Sequence, residues 1–289
     1  SFNFEVPGAE DEPRVEREHP TNEQHAVVKR VAPFEEVKPR LEHEHVHESL
    51  EKTVLDLTSM KVEFLVSGQM EQLLKGDLKE AADENLDLVP SVYEGGMKVW
   101  ECSIDLAEYV ESSLTIDEDT TILELGCGAG LPGHVGGIRG ATVRFLDYNK
   151  QGARPGGPLP NCLSSNIGSG VYRRCRFLAG DWSVLLEHLE EQCYDFILTS
   201  ETIYSSATYQ DLIGIFKRSL KPHGLILVAA KTCYFGVGGG TRQFEETVAS
   251  DGTFKSRVVF VTDTGVQREI LELRRKYCRC LLLKKIKLV

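Results

Sequence analysis

The residues best suited to hold a small ligand form a glycine cluster near the middle of the chain. Thr121–Gly133 has the sequence TILELGCGAGLPG, an apolar predicted strand that runs directly into glycines and then into a predicted helix. Glycine permits a tight turn and lets the backbone approach a ligand closely. Glu124 lies on this strand, where a buried carboxylate is costly unless it meets a cation or a polar ligand. We expect ligand contacts from Glu124, Gly126, Gly128 and Gly130.

Two kinds of ligand fit such a loop. Gly128-x-Gly130-x-x-Gly133 matches the fingerprint of dinucleotide-binding enzymes. Asp147, which ends the next predicted strand, can hold the ribose hydroxyls of a dinucleotide or of an adenosine-bearing methyl donor. Glu124 favours the methyl donor, because a carboxylate repels a pyrophosphate but attracts a ligand that carries an ammonium and a sulfonium.

Two further segments also favour the methyl donor. Gly180-Asp181-Trp182 follows the third predicted strand and offers a carboxylate for an adenine amino group and an indole face for stacking. Ser200–Tyr204, with the sequence SETIY, follows the fourth predicted strand. Folds that alternate strands and helices place their chemistry at the carboxyl ends of strands. The remaining alternative is a glycine-rich turn with a purely structural use.

Strand-like and helical segments alternate after Pro90 and must position these residues. Strands are predicted at Thr121–Leu125, Thr142–Asp147, Cys175–Leu178, Tyr194–Ser200, Leu225–Ala230, Arg257–Val261 and Glu269–Leu273. Helices are predicted at Ser103–Ser112, with Ser103 as the N-cap, and at Leu131–Arg139, Leu159–Ile167, Trp182–Gln192, Thr208–Leu220 and Thr241–Ser250. The alternation predicts an α/β fold, with a Rossmann-like, seven-stranded, mostly parallel sheet and helices on both faces. The last two strands lack a helix between them, which predicts an antiparallel hairpin at the C-terminal edge.

The first third of the chain differs in character from the rest. Residues 1–50 mix acids, prolines and histidines with few large apolar residues, a composition that predicts a mostly disordered segment. Residues 51–92 are predicted to form a short helical lead-in. Residues 93–289 are predicted to form the domain that carries the ligand loop.

The net charge of −11 belongs entirely to this first third. Residues 1–92 contain 21 acidic and 10 basic residues, whereas residues 93–289 contain 23 of each. The balanced domain does not support direct nucleic-acid binding. The longest apolar runs are far shorter than the ~20 residues that span a bilayer, and the start of the chain lacks the pattern of a signal peptide. We therefore expect neither membrane insertion nor secretion.

The chain contains eight cysteines, and none forms a Cys-x-x-Cys pair. Without a secretion signal, they are expected to be reduced thiols of an intracellular protein. The histidines of His43–His47 resemble a metal-binding motif, but no Cys or further His follows them at ligand spacing. No metal site is therefore expected.

Several of these motifs together resemble a known superfamily. The run ILELGCGAG, the strand that ends in Asp147 and the segment Gly180-Asp181-Trp182 are similar to the class I, seven-strand S-adenosylmethionine-dependent methyltransferases. Glu201-x-x-Tyr204 resembles the acidic-x-x-aromatic motif of the branch of that superfamily that methylates proteins.

Longer segments resemble one family in particular, the histidine protein methyltransferase 1 homologs. They are Tyr93–Cys102, Leu198–Tyr204, Lys231–Gly240 and, at the start of the chain, Phe2–Phe4. The resemblance covers residues 93–275, and these segments are more specific than the glycine loop alone. Gln151–Pro160 departs from the family pattern because it is rich in glycine and proline.

The resemblance implies S-adenosyl-L-methionine as the cofactor and S-adenosyl-L-homocysteine as its product. Carried over to the matching positions, the family's pocket implies cofactor contacts from Val99, Trp100, Glu101, Cys102, Ser103, Gly126, Leu146, Asp147, Tyr148, Gly180, Asp181, Trp182 and Ser200. The resemblance also implies that the acceptor is the distal (tele) ring nitrogen of a histidine in a large-subunit ribosomal protein. A protein-lysine methyltransferase of the same branch and a non-catalytic binding module are the alternatives.

Glu201 and Tyr204 are the candidate catalytic residues. A histidine acceptor is largely neutral at pH 7, so no strong general base is needed, whereas a lysine acceptor must first lose a proton. We hypothesise that Glu201, or a nearby backbone carbonyl, accepts the other ring N–H and so turns the distal nitrogen toward the methyl group. Tyr204 is expected to pack against or hydrogen-bond the imidazole. Alternatively, Glu201 only caps the following helix and orders the loop.

Two segments could contact a protein substrate, and each also has a simpler interpretation. The glycine run Gly236–Gly240, beside Tyr234 and Phe235, is either a flexible lip that admits a polypeptide or a turn with steric demands alone. The acidic first third either steers a basic ribosomal protein toward the enzyme or only improves solubility. We expect a monomer in the cytoplasm and the nucleus, including the nucleolus.

Overall fold

The structure is a computed structural model that describes residues 34–37, 52–65, 99–148, 174–236, 238–262 and 265–276. The predicted helix at Leu159–Ile167 and the segments Phe2–Phe4 and His43–His47 lie outside these residues. No helix among the described residues is both long and apolar enough to cross a lipid bilayer.

The strands in the described part of the chain share two sheets. They are β1 Glu35–Val37, β2 Lys52–Asp56, β3 Lys61–Leu65, β4 Thr121–Leu125, β5 Thr142–Asp147, β6 Cys175–Ala179, β7 Tyr194–Ser200, β8 Leu220–Lys231, β9 Phe254–Val261 and β10 Arg268–Arg275. The α-helices are α1 Glu101–Ser113, α2 Leu131–Ile138, α3 Trp182–Leu185, α4 Tyr209–Ser219 and α5 Thr241–Asp251. A 3-10 turn at Ser206–Thr208 precedes α4.

The large sheet has the strand order β1-β6-β5-β4-β7-β8-β10-β9. Strands β4 to β8 are parallel to their neighbours among themselves. Strand β10 is antiparallel to both β8 and β9. The predicted mostly parallel sheet with a C-terminal antiparallel hairpin is confirmed. The strand order reverses beside β4, and open α/β sheets bind ligands at the carboxyl ends of strands near such a point.

The two faces of the large sheet pack against separate groups of helices. Successive side chains of a strand point to opposite faces, so Ile122 of β4 joins one core cluster with Leu106 of α1 and Val135 of α2. Leu123, the next residue along β4, joins the other cluster with Leu212 of α4. Each of these side chains is fully buried, and such burial contributes about 1.5–3 kcal/mol apiece. The strands are therefore fixed from both sides, and so are the loops at their ends.

The lead-in contains a β-hairpin, so the prediction of helices over residues 51–92 is wrong for residues 52–65. Strands β2 and β3 pair antiparallel. Val62 and Phe64 of β3 are buried in the cluster on the α1 and α2 face. They alternate with charged residues that stay accessible, and this period of two is the pattern of a half-buried strand.

Residues 34–37 are ordered against the sheet, within a segment predicted to be mostly disordered. Strand β1 pairs antiparallel with β6 and adds an eighth strand to the predicted seven. Phe34, which precedes β1, stacks on His188 with ring centroids 4.3 Å apart. This edge of the sheet is thereby covered by an N-terminal part of the chain.

Helix α3 is shorter than the predicted helix at Trp182–Gln192. It ends at Leu185. Gln192 has a left-handed backbone with φ of 49°, and its N–H donates to the carbonyl of Arg218 in α4 at 2.8 Å. The segment before β7 is thus bound to α4, which prevents the helix from continuing.

Candidate active site

The candidate site lies where the parallel strands end. Because β4 to β8 run in one direction, their carboxyl ends meet at one edge of the sheet. This edge brings together Gly126 after β4, Asp147 at the end of β5, Gly180 after β6, Ser200 at the end of β7 and Lys231 at the end of β8. The first four were predicted site residues, and they come from four different strands.

The glycine loop after β4 is held from two sides. Gly126, Gly128 and Gly130 all have left-handed backbones, with φ of 59°, 47° and 68°. The N–H of Gly128 donates to Oδ2 of Asp147 at 2.9 Å. A Cβ at Gly126 would lie 2.5 Å from Cγ2 of Thr202. The loop therefore leaves no room for a side chain at Gly126 and exposes backbone at the centre of the site.

Glu124 lies beneath the loop. Its side chain is 1% exposed, and its Oε2 accepts the N–H of Gly133 in the first turn of α2 at 2.8 Å. Burial raises the pKa of Glu124 to about 8, the Gly133 N–H opposes that rise, and the charge of nearby Asp147 adds to it. In this arrangement Glu124 fixes the start of α2 and so the shape of the glycine loop.

This raised pKa predicts that Glu124 lowers stability as the pH rises. An unfolded Glu124 loses its proton near pH 4.5, whereas the folded group keeps it until about pH 8. The unligated protein should therefore lose up to about 4 kcal/mol of stability from this group between pH 4.5 and 8. Glu124→Gln is neutral at every pH and should flatten that slope in denaturant titrations at pH 5, 6.5 and 8.

Glu111 of α1 is the control for that experiment. Its carboxylate accepts the backbone N–H of Ser59 at 2.8 Å, and hydrogen bonds from Ser59 lower its pKa. The Glu111 charge therefore stabilises the fold above the ordinary pKa, and this contribution is lost as the pH falls. Glu111→Gln should be destabilising at pH 8 and less so toward pH 4. Parallel pH curves for the wild type and Glu124→Gln would contradict the role assigned to Glu124.

The adenosine side of the predicted pocket is built from two buried carboxylates and an indole. Asp147 is 6% exposed and Asp181 is 5% exposed. Asp181 caps α3, and its Oδ1 accepts the N–H of Ser183 at 2.9 Å. Trp182 is close to the glycine loop, since its Cζ2 would lie 3.8 Å from a Cβ at Gly126. The predicted residues of this side are therefore neighbours in the fold.

Leu146 and Tyr148 flank Asp147 at the end of β5. The side chain of Leu146 is fully buried in the core, and its carbonyl accepts the N–H of Cys127 at 3.0 Å. Leu146 can thus reach a ligand only through its backbone. Tyr148 is half-buried and lies just beyond the strand.

The start of α1 forms another side of the site. Val99 and Trp100 are half-buried and precede the helix, whereas Cys102 and Ser103 are buried in its first turn. Trp100 occupies the N-cap position, and its carbonyl accepts the N–H of Ser103 at 3.0 Å. The sequence-based placement of Ser103 as N-cap is therefore wrong.

Glu101 and Cys102 face different surroundings in that first turn. Glu101 is exposed, and its Oε2 lies 3.7 Å from Nη1 of Arg268. Burial raises the pKa of the Cys102 thiol well above its usual range, and the Glu201 carboxylate adds to the rise. Cys102 is therefore a neutral thiol beside the carboxylate of Glu201.

Glu201 is the most constrained side chain of the site. Its backbone is left-handed, with φ of 56°, which is uncommon for a residue other than glycine. Its N–H donates to the carbonyl of Ala229 at 2.9 Å. Oε2 accepts the Tyr234 hydroxyl at 2.5 Å. Oε1 is buried and has no hydrogen-bond partner among the residues that the structure describes. Strain of this kind often accompanies functional sites.

The alternative that Glu201 caps the next helix does not hold. Ser205 caps the 3-10 turn with its side chain, and Thr208 precedes α4. The segment after Glu201 is instead secured through Thr202, whose Oγ1 lies 2.6 Å from Oγ1 of Thr199.

Lys231 lies beside the Glu201 carboxylate and contacts two aromatic rings. Nζ of Lys231 lies 3.9 Å from Oε1 of Glu201. The same Nζ lies 5.3 Å from the ring centroid of Trp100 and 5.8 Å from that of Tyr234. Tyr204, the second predicted catalytic residue, meets the Tyr234 ring edge-on with centroids 6.4 Å apart. These five side chains form a single cluster.

Sequence analysis assigned no role to Lys231 and considered Tyr234 only as a neighbour of the glycine run. A signal was present, because Lys231 is a charged residue directly after the apolar run Leu225–Ala230. Asp147 and Glu201 occupy equivalent places after their own strands. A lysine at the end of a buried strand needs a partner of opposite charge.

The two halves of the glycine run 236–240 differ in their surroundings. A Cβ at Gly236 or Gly238 would meet no atom of the described residues within 4 Å, and Phe235 is 85% exposed. Gly239 and Gly240 instead pack closely, and the N–H of Gly240 donates to the carbonyl of Ile203 at 3.0 Å. The second half of the run therefore meets steric demands beside the segment after β7, and a lip formed by the first half stays a prediction.

Comparison with known proteins agrees with this geometry. Residues 81–238 match a family model described as "Lysine methyltransferase". The "Histidine protein methyltransferase 1 homolog" of Dictyostelium discoideum is 36% identical over 197 residues, which is 67% of this chain and 62% of that protein. The mouse protein of the same name is 33% identical over 276 residues, 83% of this chain and 75% of that protein.

A relative named for a different acceptor residue is also similar. "Protein N-lysine methyltransferase METTL21A" of Xenopus tropicalis is 30% identical over 136 residues, 47% of this chain and 60% of that protein. The chain therefore spans about three fifths to three quarters of the length of these curated relatives.

The polar groups at the strand ends fit the cofactor that these relatives imply. The buried carboxylates of Asp147 and Asp181 offer acceptors for ribose hydroxyls and an adenine amino group. Trp182 offers an aromatic face, and Gly126 offers backbone without a side chain. No phosphate-binding cation is needed for such a ligand. The chain belongs to the histidine protein methyltransferase 1 homologs, a family of class I methyltransferases, and its cofactor is S-adenosylmethionine.

Proposed function

We propose that this protein is a protein-histidine N-methyltransferase that modifies the tele ring nitrogen of a histidine in a large-subunit ribosomal protein. The names of the relatives from Dictyostelium discoideum and mouse support the histidine acceptor. The balanced charge of residues 93–289 supports a protein partner rather than direct nucleic-acid binding. We further propose that it acts as a monomer in the cytoplasm and the nucleus.

One observation carries the proposal, namely the buried Oε1 of Glu201. This oxygen has no hydrogen-bond partner in the described part of the chain, and buried polar atoms are normally paired. A neutral imidazole has one N–H and, across the ring, one nitrogen with a lone pair. If Oε1 accepts the N–H of the near (pros) nitrogen, the tele nitrogen is left free to react.

The group transfer then needs little from the protein beyond positioning. Bound S-adenosylmethionine supplies an electrophilic methyl carbon. The lone pair of the tele nitrogen forms the new bond to that carbon, while the bond from carbon to sulfur breaks and its electron pair stays on sulfur. The ring becomes positively charged, and Glu201 Oε1 can take the proton of the pros nitrogen. Holding the two reactants in line supplies much of the acceleration.

Protein-lysine methylation is the second candidate. The description of the matching family model and the relative from Xenopus tropicalis favour it. A lysine acceptor has a pKa near ~10.4 and must lose a proton before it can react. Nζ of Lys231, 3.9 Å from Glu201, places a positive charge beside the oxygen that would receive a lysine ammonium. This repulsion makes lysine the weaker candidate.

Product analysis separates the two candidates. The full chain is incubated with isotope-labelled S-adenosylmethionine and an extract of cells that lack the enzyme, and the protein fraction is hydrolysed to amino acids. Labelled tele-methylhistidine is the expected product. Labelled methyl-lysine without methylhistidine would refute the proposal. A chain that fails to bind S-adenosylhomocysteine in calorimetry would instead be a non-catalytic member of the fold.

A further inference from the structure

The hydroxyl of Tyr234 can point in only one direction. The backbone N–H of Lys231 donates to the Tyr234 hydroxyl oxygen at 3.3 Å. Since that N–H is a donor only, the Tyr234 proton is free to point at its other neighbour, Oε2 of Glu201, at 2.5 Å. Burial, and then the Glu201 charge, raises the pKa of the Tyr234 phenol, which keeps it a donor. Oε2 of Glu201 is therefore occupied.

The other oxygen of Glu201, Oε1, has a positive charge nearby but no hydrogen-bond partner among the described residues. Nζ of Lys231 is 3.9 Å from Oε1, beyond hydrogen-bond distance but close enough for strong attraction. The rings of Trp100 and Tyr234 hold that ammonium in place. Glu201 thus presents one buried oxygen, Oε1, that has no hydrogen-bond partner in the described part of the chain.

Tyr234 is itself fixed by its neighbours. Its carbonyl accepts the N–H of Gly238 at 3.1 Å, and Tyr204 packs against its ring edge. The Glu201 backbone is fixed independently by its hydrogen bond to Ala229. Both residues of the Tyr234–Glu201 hydrogen bond are therefore anchored through their backbones. The hydrogen bond then restricts the rotation of the Glu201 side chain and so the position of Oε1.

A fixed acceptor oxygen decides which way an imidazole ring can bind. The ring can donate from its pros N–H and present the tele nitrogen, or bind turned over with the two nitrogens exchanged. We propose that Tyr234 is the positioning residue that selects the ring nitrogen, because its hydrogen bond confines Glu201 to one accepting oxygen. This inference rests on the proposed function and adds to it the origin of the tele preference.

The test compares the methylhistidine isomers made by two tyrosine variants. Tyr234→Phe removes the hydrogen bond to Glu201 and keeps the ring. Tyr194→Phe is the matched control, since Tyr194 is a buried tyrosine whose hydroxyl accepts Nη1 of Arg144 at 3.0 Å at the opposite end of β7. Each full-length protein is incubated with large ribosomal subunits from cells that lack the enzyme and with labelled S-adenosylmethionine. The tele and pros isomers are then separated after hydrolysis.

Tyr234→Phe should increase the share of pros-methylhistidine by about 10- to 100-fold, the worth of one hydrogen bond to a charged group. Its affinity for S-adenosylhomocysteine should stay within about twofold, because Tyr234 is not among the predicted cofactor residues. Tyr194→Phe should give the tele isomer alone. A Tyr234→Phe enzyme that gives only the tele isomer, or that binds S-adenosylhomocysteine but makes no product, overturns the inference.

A second variant covers the case in which Tyr234→Phe does not fold. Glu201→Asp keeps the carboxylate but shortens the side chain by one methylene group. It should therefore also increase the share of pros-methylhistidine. Tele product alone from Glu201→Asp would overturn the inference. Methyl-lysine from the wild type would refute the proposed function instead, which keeps the two failures distinct.

Discussion

Glu201→Gln is expected to lower kcat by about 100-fold or more while the affinity for S-adenosylhomocysteine stays within about twofold. The amide is similar in size but uncharged, so it should hold the ring N–H of the proposed histidine acceptor more weakly and cannot take its proton. It also removes the partner of Lys231, whose Nζ lies 3.9 Å from Oε1. Single-turnover kinetics and calorimetry on the full chain would measure the two quantities separately.

Glu272→Gln is the matched control for this loss. Glu272 is a buried carboxylate of β10, and its Oε1 lies 2.8 Å from Nε of Arg257. The substitution should cost stability and leave kcat unchanged, because Glu272 lies away from the carboxyl ends of the parallel strands. A Glu201→Gln enzyme that binds the cofactor product normally and keeps full turnover would refute a catalytic role for Glu201.

Gly126→Ala is expected to weaken binding of S-adenosylhomocysteine by about 30-fold or more. The new Cβ would lie 2.5 Å from Cγ2 of Thr202, and the backbone φ of 59° disfavours any side chain. Overpacking and left-handed strain each cost about 1–3 kcal/mol, and a loss of 1.4 kcal/mol is tenfold in affinity. Part of the cost should appear as a lower Tm of the unligated protein.

Two further variants separate the clash from the strain. Thr202→Ser removes Cγ2 but keeps the hydroxyl that lies 2.6 Å from Thr199 Oγ1. The double variant with Gly126→Ala should therefore recover about tenfold in affinity, the share that belongs to the clash. Gly252→Ala is the strain control, since φ is 79° and a Cβ at this position would have no atom within 4 Å among the described residues. It should lower the Tm slightly and leave affinity unchanged, and an equal loss of affinity from it would contradict this account.

The elements of the domain followed from the sequence because their signals are local. The strand Thr121–Leu125 is mostly apolar and has glycines directly behind it, and its predicted bounds are those observed. The hairpin at residues 52–65 was missed although Val62 and Phe64 alternate with charged residues. Its period of two extends over too few residues to outweigh the mixed spacing of the apolar residues around it.

The site was only partly predictable because its decisive contacts are distant in sequence. Tyr234 and Glu201 are separated by 33 positions, and their hydrogen bond exists only once β7 and β8 are paired. Trp100 reaches Lys231 from a still greater separation. A motif can indicate that Glu201 matters, but it cannot show which of its oxygens is occupied.

Glu124 is a residue whose importance was predicted but whose contact was not. Its position on a strand beside the glycine loop suggested a contact with a cationic ligand. The fold instead turns its carboxylate toward Gly133 of α2, nine residues further along the chain. Sequence identified an unusual buried acid, and only the packing of α2 shows what it holds.

The position of the transferred methyl group decides whether the acceptor is the tele nitrogen of a histidine. Large ribosomal subunits from cells that lack the enzyme are incubated with the full chain and isotope-labelled S-adenosylmethionine, then digested and fragmented in a mass spectrometer. One labelled histidine in a large-subunit protein is expected, and its hydrolysis should release tele-methylhistidine. Glu201→Gln should leave no label. Label confined to lysine, or undiminished with Glu201→Gln, would contradict these expectations.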